Sequence, residues 1–333
     1  MSSALEEENK IAVLGGGAWG TALAHSQRLG GKSVVLWARD CGLVDRINAT
    51  HENFKYLPGV SLAEGVKATC SPDEALSEAS CVLVAIPAQT IRNVLDSIAK
   101  SFPANIPLVL CAKGIEADTG KLPSDIASEL FPQNPIAALS GPSFAADVAR
   151  NLPTAVTVAS QDAAAAHDLA KLLSAPNLRC YSSEDLSGVE IGGALKNVLA
   201  IAAGIVSGSR LGDSAQAALI TRGFVELRRV GAALGAQPDT LMGLSGLGDL
   251  ILTCGSPKSR NFTYGLALGR NEPVNGLPLA EGVPTAGIAA KLAADRDIEA
   301  PIINAVSKVL DGTLCVAEAI SQLMARPLKA ENA

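Results

Sequence analysis

Residues 10–40 read KIAVLGGGAWGTALAHSQRLGGKSVVLWARD. An apolar run at 10–14 has the look of a β-strand. Gly15, Gly17 and Gly20 follow it, a helical pattern occupies 17–29, and a second β-branched run lies at 33–37. In such a unit the first glycine permits a tight turn and the second lets backbone N–H groups approach a pyrophosphate at the positive end of the helix. The third allows the helix to pack closely on the strand. A bare G-x-G-x-x-G is also compatible with an ordinary tight turn. Here the strand, glycines, helix and second strand come in order within about thirty residues, which predicts a dinucleotide site. Trp19, inside the loop, is either a cover for the cofactor or a packing anchor.

The second strand ends at Arg39 and Asp40, where an adenosine ribose belongs. A carboxylate there accepts hydrogen bonds from an unphosphorylated ribose, whereas a guanidinium pairs with a 2′-phosphate. Arg39 comes first after the strand, so NADP(H) is preferred, with NAD(H) as the alternative.

The same alternation continues outward. Strands are expected at 66–69, 81–86, 107–112, 136–139, 155–159 and 178–181, and helices at 91–102, 122–130, 145–150 and 162–173, the pattern of a parallel sheet wrapped by helices. After about residue 185, long Ala/Leu/Ile segments with helical spacing replace the β-branched runs. Helices are expected at 187–207, 214–234, 238–242, 246–253, 261–268, 285–296, 302–310 and 313–325. The fold class is therefore α/β, a doubly wound (Rossmann) N-terminal domain over 1–186, followed by an all-α domain over 187–333.

Composition limits the function. The chain has 333 residues, with 48% apolar and 18% charged, which excludes a disordered protein. Net charge is −6 with no Lys/Arg-rich run, so nucleic acid is not an expected partner. The opening MSSALEEENK is the reverse of a secretory leader, and cytoplasmic residence is expected. Mean hydropathy is +0.27, yet the longest apolar stretch, 191–206, is short and contains Lys196 and Asn197, so no membrane insertion is expected. Seven scattered cysteines with no C-x-x-C fit reduced thiols, and the three isolated histidines suggest no metal site.

Ligands of doubly wound sheets bind beyond the carboxyl ends of the strands. Lys113 follows the strand at 107–112 and is placed to reach into that crevice; the plain alternative is a solvated lysine. Gly141 and Ser143 end another strand and open a helix, offering N–H groups to an oxygen-rich ligand. Lys196 is the only charge within 191–206, on a helix apolar almost all round. Burying an ammonium is costly unless it is paired or its pKa falls, which marks an acid/base group rather than a snorkelling side chain. Asp249, in a glycine-rich stretch, is a candidate partner for it. Ser259, Arg260 and Asn261 open a helix, where a guanidinium and free N–H groups make a phosphate site.

Taken together, GGGAWGTALA (15–24), LWARD (36–40), YLPG (56–59), AKGIE (112–116), SGPSFA (140–145), GGALKN (192–197), GLGDLILTC (246–254) and SRN (259–261) closely resemble the NAD(P)-dependent glycerol-3-phosphate dehydrogenases of bacterial type. The resemblance implies a Rossmann domain joined to a helical domain. It also implies interconversion of dihydroxyacetone phosphate and sn-glycerol 3-phosphate for phospholipid synthesis. It places cofactor contacts at Ala18, Trp19, Arg39, Lys113, Ala145 and Arg260, and substrate contacts at Lys113, Gly141, Ser143, Lys196, Asp249, Ser259, Arg260 and Asn261. Lys196 takes the position of the proton acceptor, with Lys113 and Asp249 beside it. The family carries a Val-Glu-Gly-aromatic stretch with two further cofactor contacts. Here Leu279-Ala280-Glu281-Gly282-Val283-Pro284 stands instead: Leu279 and Glu281 take the contact positions, the aromatic is lost and Pro284 is expected to alter the local backbone. Two other readings remain, an NADP-dependent reductase of a 2-keto or 3-hydroxy acid and a non-catalytic NADPH-binding regulator. A homodimer acting on a small molecule is expected.

Overall fold

The computed structural model describes residues 9–327. The readings made on the opening decapeptide, and the outer limits of the two expected domains, fall largely outside the described residues.

The first half alternates strand and helix: β1 (Lys10–Leu14), α1 (Ala18–Leu29), β2 (Ser33–Trp37), α2 (Cys41–Thr50), β3 (Val66–Thr69), α3 (Pro72–Leu76), β4 (Cys81–Val84), α4 (Ile91–Ile98), β5 (Leu108–Leu110), α5 (Pro123–Leu130), β6 (Ile136–Ser140), α6 (Ala145–Ala149), β7 (Thr154–Ser160), α7 (Ala163–Leu173) and β8 (Leu178–Ser183). One eight-stranded sheet results, in the order β3-β2-β1-β4-β5-β6-β7-β8. Its central strands are apolar on both faces because helices cover both. In β1, Ile11 and Val13 point into one core and Ala12 and Leu14 into the other. The order reverses between β1 and β4, and beyond their carboxyl ends opens the crevice in which such sheets bind ligands.

The expected all-parallel sheet needs one correction, since β6 and β7 are antiparallel. A parallel return would require a crossover to the far end of the sheet. The connection after Ser140 instead turns at Gly141 (φ 151°), makes the single short helix α6, and stays at the strand's carboxyl end. The sequence reading also passed over α2 and α3. Asp40 and Ser71 cap them, but each begins at a cysteine or proline close to a strand end.

After β8 the chain is helical: α8 (Leu186–Gly208), α9 (Asp213–Ala233), α10 (Pro238–Met242), α11 (Asp249–Cys254), α12 (Arg260–Gly269), α13 (Gly282–Ala294), α14 (Pro301–Leu310) and α15 (Val316–Met324). Helix α8 is long and apolar enough to cross a membrane, but the protein buries it along its length. Its partners α9 to α14 cover the apolar faces that water would otherwise meet. The contact with α12 is backbone to backbone. A Cβ added at Gly265 would lie 2.0 Å from the Ile201 carbonyl oxygen, and one at Gly204 would lie 2.1 Å from that of Phe262.

Pro284 does not disturb the backbone. It occupies the first turn of α13, where its missing N–H has no intrahelical partner to lose. The expectation of reduced cysteines also fails at one place. Cys41 and Cys70, at the ends of the neighbouring strands β2 and β3, form a disulfide with Cα atoms 5.3 Å apart. A sequence separation of 29 hid a contact that the β2–β3 pairing creates.

Candidate active site

The glycine turn is built as its spacing demands. Gly15 takes φ 125°, and its N–H donates to the Trp37 carbonyl at 2.9 Å, tying the turn to β2. A Cβ there would collide with the Ala85 backbone, and one on Gly20 would lie 1.9 Å from the Gly15 carbonyl oxygen. Gly17, the N-cap of α1, has neither a side-chain cap nor any atom within 4 Å of where a Cβ would stand. A helix N-terminus with uncapped N–H groups facing open space fits a pyrophosphate. Trp19 and Ala18 pack on the sheet core, and the buried Trp19 Nε1 has no hydrogen-bond partner. The Glu281 Oε2 atom is likewise buried and unpaired, 3.3 Å from where a Gly114 Cβ would lie; Glu281 Oε1 accepts from Ala88 N at 3.3 Å. Burial pushes the Glu281 carboxyl upward. These orphaned polar atoms fit a dinucleotide running from the end of β2 to the end of β5.

At the ribose end the two candidates separate. Asp40 is already engaged: it caps α2 by accepting from Leu43 N at 3.1 Å and pairs with Lys55 at 3.3 Å. The Leu43 N–H and Lys55 hold its carboxyl below the usual carboxylate range. Arg39 is exposed beside it.

At the other end, elements distant in sequence bring three charges together. The Lys113 ammonium, just past β5, donates to the Gly141 carbonyl at 2.8 Å and to Asp249 Oδ2 at 2.7 Å. From α8, the Lys196 ammonium donates to Asp249 Oδ1 at 3.1 Å and to Thr253 Oγ1 at 2.7 Å. Lys196 is only 5% exposed. Burial, with help from the Lys113 charge, lowers its pKa to about 8 against the opposing pull of Asp249. For Asp249 burial acts upward, but the two lysines overcome it and the carboxyl stays below its ordinary range. Two ammonium groups share one carboxylate, so the cluster carries a net positive charge at neutral pH.

Local structure explains the placement of Asp249. Residues 244–248 form a π-helical turn rather than the expected start of a helix at 246, and α11 begins only at Asp249. Gly246 permits the turn by approaching the Leu241 carbonyl, where a Cβ would come within 2.0 Å.

The remaining residues join the cluster by different routes. Ser143 Oγ donates to the Gly141 carbonyl at 3.0 Å. Ser259 Oγ caps α12 by accepting from Phe262 N at 3.2 Å, and Arg260 follows at the exposed first position of that helix. Asn261 is a buried strut: its Nδ2 donates to Asn197 Oδ1 at 2.8 Å, and its Oδ1 accepts from Gly282 N at 2.9 Å. Asn197 Nδ2 in turn donates to the Lys113 carbonyl at 2.8 Å, linking β5, α8, α12 and α13. Ala145 opens α6 and packs on the same core as Trp19. Leu279 is 50% exposed on the loop before α13.

Sequence reasoning missed Thr253 and Asn197 as parts of this network. Thr253 stands four residues after Asp249, one helical turn, which is the signal that would have found it. Asn197 was read only as an interruption of an apolar run. Among the described residues no group of three or more His, Cys, Asp or Glu side chains is arranged to hold a metal ion.

Comparisons with known proteins identify the family. Residues 10–166 match the family model for the NAD-dependent glycerol-3-phosphate dehydrogenase N-terminus, and residues 185–321 match the model for its C-terminus. Glycerol-3-phosphate dehydrogenase [NAD(P)+] of Chelativorans sp. (strain BNC1) is 64% identical over 321 residues, covering 96% of this chain and 98% of that protein. The Mesorhizobium japonicum protein of the same name is 62% identical over 323 residues, covering 97% and 94%. The crystal structure of glycerol-3-phosphate dehydrogenase from Coxiella burnetii superposes with a TM-score of 0.91 at 36% identity, covering 96% of this chain and 99% of that one. The chain thus belongs to the NAD-dependent glycerol-3-phosphate dehydrogenase family.

Proposed function

We propose that the chain interconverts dihydroxyacetone phosphate and sn-glycerol 3-phosphate, using NADP(H) in preference to NAD(H). The observation that carries this reading is the Lys113–Asp249–Lys196 cluster at the carboxyl end of β5. The bound nicotinamide supplies or takes up the hydride. As hydride reaches C2 of the ketone, negative charge grows on the carbonyl oxygen. The Lys196 ammonium stabilises that charge and then protonates it; in the reverse direction neutral Lys196 takes the hydroxyl proton. A pKa of about 8 suits both directions near neutral pH. Lys113 adds a second positive charge, and Asp249 holds both ammonium groups in place. Arg260, Ser259 and the first turn of α12 receive the phosphate, while Gly141, Ser143 and Asn261 frame the substrate from neighbouring elements. Ala18, Trp19, Ala145, Leu279 and Glu281 line the cofactor's path, and Arg39 meets its 2′-phosphate because Asp40 is already occupied.

In this reading residues 1–186 bind cofactor and 187–333 supply the substrate side. The protein acts as a cytoplasmic homodimer, and its product feeds glycerophospholipid synthesis.

The test is NADPH oxidation with dihydroxyacetone phosphate against unphosphorylated dihydroxyacetone. Charge-assisted hydrogen bonds to the phosphate are each worth about 1.5–3 kcal/mol, so two of them predict at least a hundredfold preference in kcat/KM. Comparable turnover of the two substrates would refute the phosphate site. Lys196→Ala should lower kcat by about 10²- to 10⁴-fold with NADPH affinity nearly intact. If more than about a tenth of kcat remained, proton transfer would belong to Lys113 or to water.

A further inference from the structure

The Cys41–Cys70 disulfide lies directly behind the pair of residues at the ribose end of the crevice. Cys41 is the first residue of α2, next to its cap Asp40, and Cys70 immediately follows β3. We propose that these two cysteines form a thiol–disulfide modification site whose oxidation state sets the affinity for the 2′-phosphorylated cofactor. The proposal rests on the reading that Arg39 meets the 2′-phosphate.

Geometry supplies the link. Arg39 is held between two ties to the end of β3. On one side the Ala38 N–H donates to the Thr69 carbonyl at 3.0 Å, and on the other Cys41 is bonded to Cys70. Trp37 Nε1 donates to the Cys70 carbonyl at 3.3 Å and completes the frame. With both ties made, residues 38–41 present one backbone conformation to a ligand. Opening the disulfide leaves the Ala38 tie and releases the other side, so ordering Arg39 falls to the binding event.

Accessibility singles out the same pair. Both cysteines are at the surface, whereas Cys81, Cys111 and Cys254 are buried. Burial pushes the thiols of Cys81 and Cys254 up to about 12 and that of Cys180 up to about 11, which denies them the reactive thiolate. The exposed Cys315 caps α15 by accepting from Glu318 N and belongs to another part of the fold. When the disulfide is open, Cys41 stands at a helix N-terminus, an environment that favours the thiolate.

The exchange balances with a small-molecule disulfide such as glutathione disulfide. The thiolate of one cysteine attacks a reagent sulfur and breaks its S–S bond, and the released thiolate takes up the cysteine's proton. The second cysteine then attacks the protein-side sulfur of the mixed disulfide and expels a second small thiol. Two protein thiols are oxidised to one disulfide and one reagent disulfide is reduced to two thiols.

The experiment uses the full chain carrying Cys315→Ser, divided into one pool treated with glutathione disulfide and one treated with a phosphine reductant, then desalted. Thiol titration of the native protein should differ by two between the pools. Calorimetric titration should show the NADPH Kd rising about three- to tenfold on reduction, as expected for one loop and one long side chain left to be ordered by the ligand, with NADH changed less than about twofold. Cys41→Ser and Cys70→Ser should bind NADPH like the reduced pool whatever the treatment. An unchanged thiol count, or equal NADPH affinity in pools that differ by two thiols, would overturn the proposal. Arg39→Ala separates the two layers of reasoning. If it leaves the NADPH-to-NADH ratio unchanged, the 2′-phosphate reading fails; if it weakens NADPH selectively while the pools bind alike, only the cysteine proposal fails.

Discussion

Replacing Asp249 by Asn should move the pH dependence of catalysis, and the structure gives the size of the move. The substitution keeps the shape and one acceptor oxygen, turns the other oxygen into a donor, and removes the one negative charge that Lys113 and Lys196 share. At the 3.1 Å separation of Lys196 from Asp249, two unit charges interact by about 5 kcal/mol at an effective dielectric of 20. Breaking a buried pair typically costs about 3–5 kcal/mol. At 1.36 kcal/mol per unit, this corresponds to a fall of at least about two units in the Lys196 pKa. The sign is fixed, because burial and Lys113 both lower that pKa and Asp249 is the foremost influence that raises it. Reduction of the ketone needs the ammonium form. In the parent protein, kcat/KM for reduction should be flat in acid and fall as the pH passes about 8. In Asp249→Asn the fall should begin near pH 6 or below, so that at pH 7.5 the rate drops by about twentyfold or more and recovers in acid. The assay is NADPH oxidation with dihydroxyacetone phosphate from pH 5 to 10, with NADPH titration confirming that the cofactor site persists. An alkaline limb left near pH 8 in the variant would refute the idea that Asp249 sets the proton affinity of Lys196.

Arg39→Ala should raise the Kd of NADPH by about ten- to a hundredfold and that of NADH by far less, since a charge-assisted contact to a phosphate is worth about 1.5–3 kcal/mol; equal losses in a binding titration would place Arg39 elsewhere. Glu190 is buried on α8, where its carboxylate accepts from the Ser124 N–H at 2.9 Å and from the Ser124 hydroxyl, and burial pushes it up to about 8. A folded pKa above the unfolded one gives stability that is full below about pH 4.5 and lost as the pH rises through about 8. Glu190→Gln, which mimics the protonated form, should flatten the decline of Tm between pH 5 and 9, and parallel Tm curves for the two proteins would contradict this. Gly265→Ala should destabilise by about 1–3 kcal/mol or more in chemical denaturation because its Cβ meets the Ile201 carbonyl, whereas Gly287→Ala, exposed and unobstructed on α13, should be neutral or stabilising by up to about 1 kcal/mol.

The parts of the fold legible in the sequence were those whose cause is local. Gly15 and Gly20 announce the turn because a nearby backbone leaves no room for a side chain, Gly17 keeps the start of α1 open, and the alternation of β-branched runs with helical patterns gives the layers. Lys196 was legible as the lone charge in the apolar run 191–206. What escaped depends on encounters between distant segments. The reversal of β7 follows from which end of the sheet the connection stays on, and no residue pattern encodes that. Cys41 meets Cys70 only because β2 and β3 are neighbours. Asn197 became visible as a link only when Lys113, Asn261 and Gly282 stood around it, and Asp249 owes its aim to a π-helical turn that the expected helix at 246–253 had smoothed over.

The glycine-lined crossing of α8 and α12 has a metric consequence. Lys196 lies on one of these helices and Arg260 opens the other. Side chains can change rotamer and tolerate sliding, but carbonyl oxygens seated against bare α-carbons at Gly204, Gly208, Gly265 and Gly269 cannot. The crossing therefore works as a ruler. On the roles proposed for Lys196 and Arg260, it sets the span between the group that meets a carbonyl oxygen and the group that meets a phosphate, and so selects substrates by the number of carbons between those two ends.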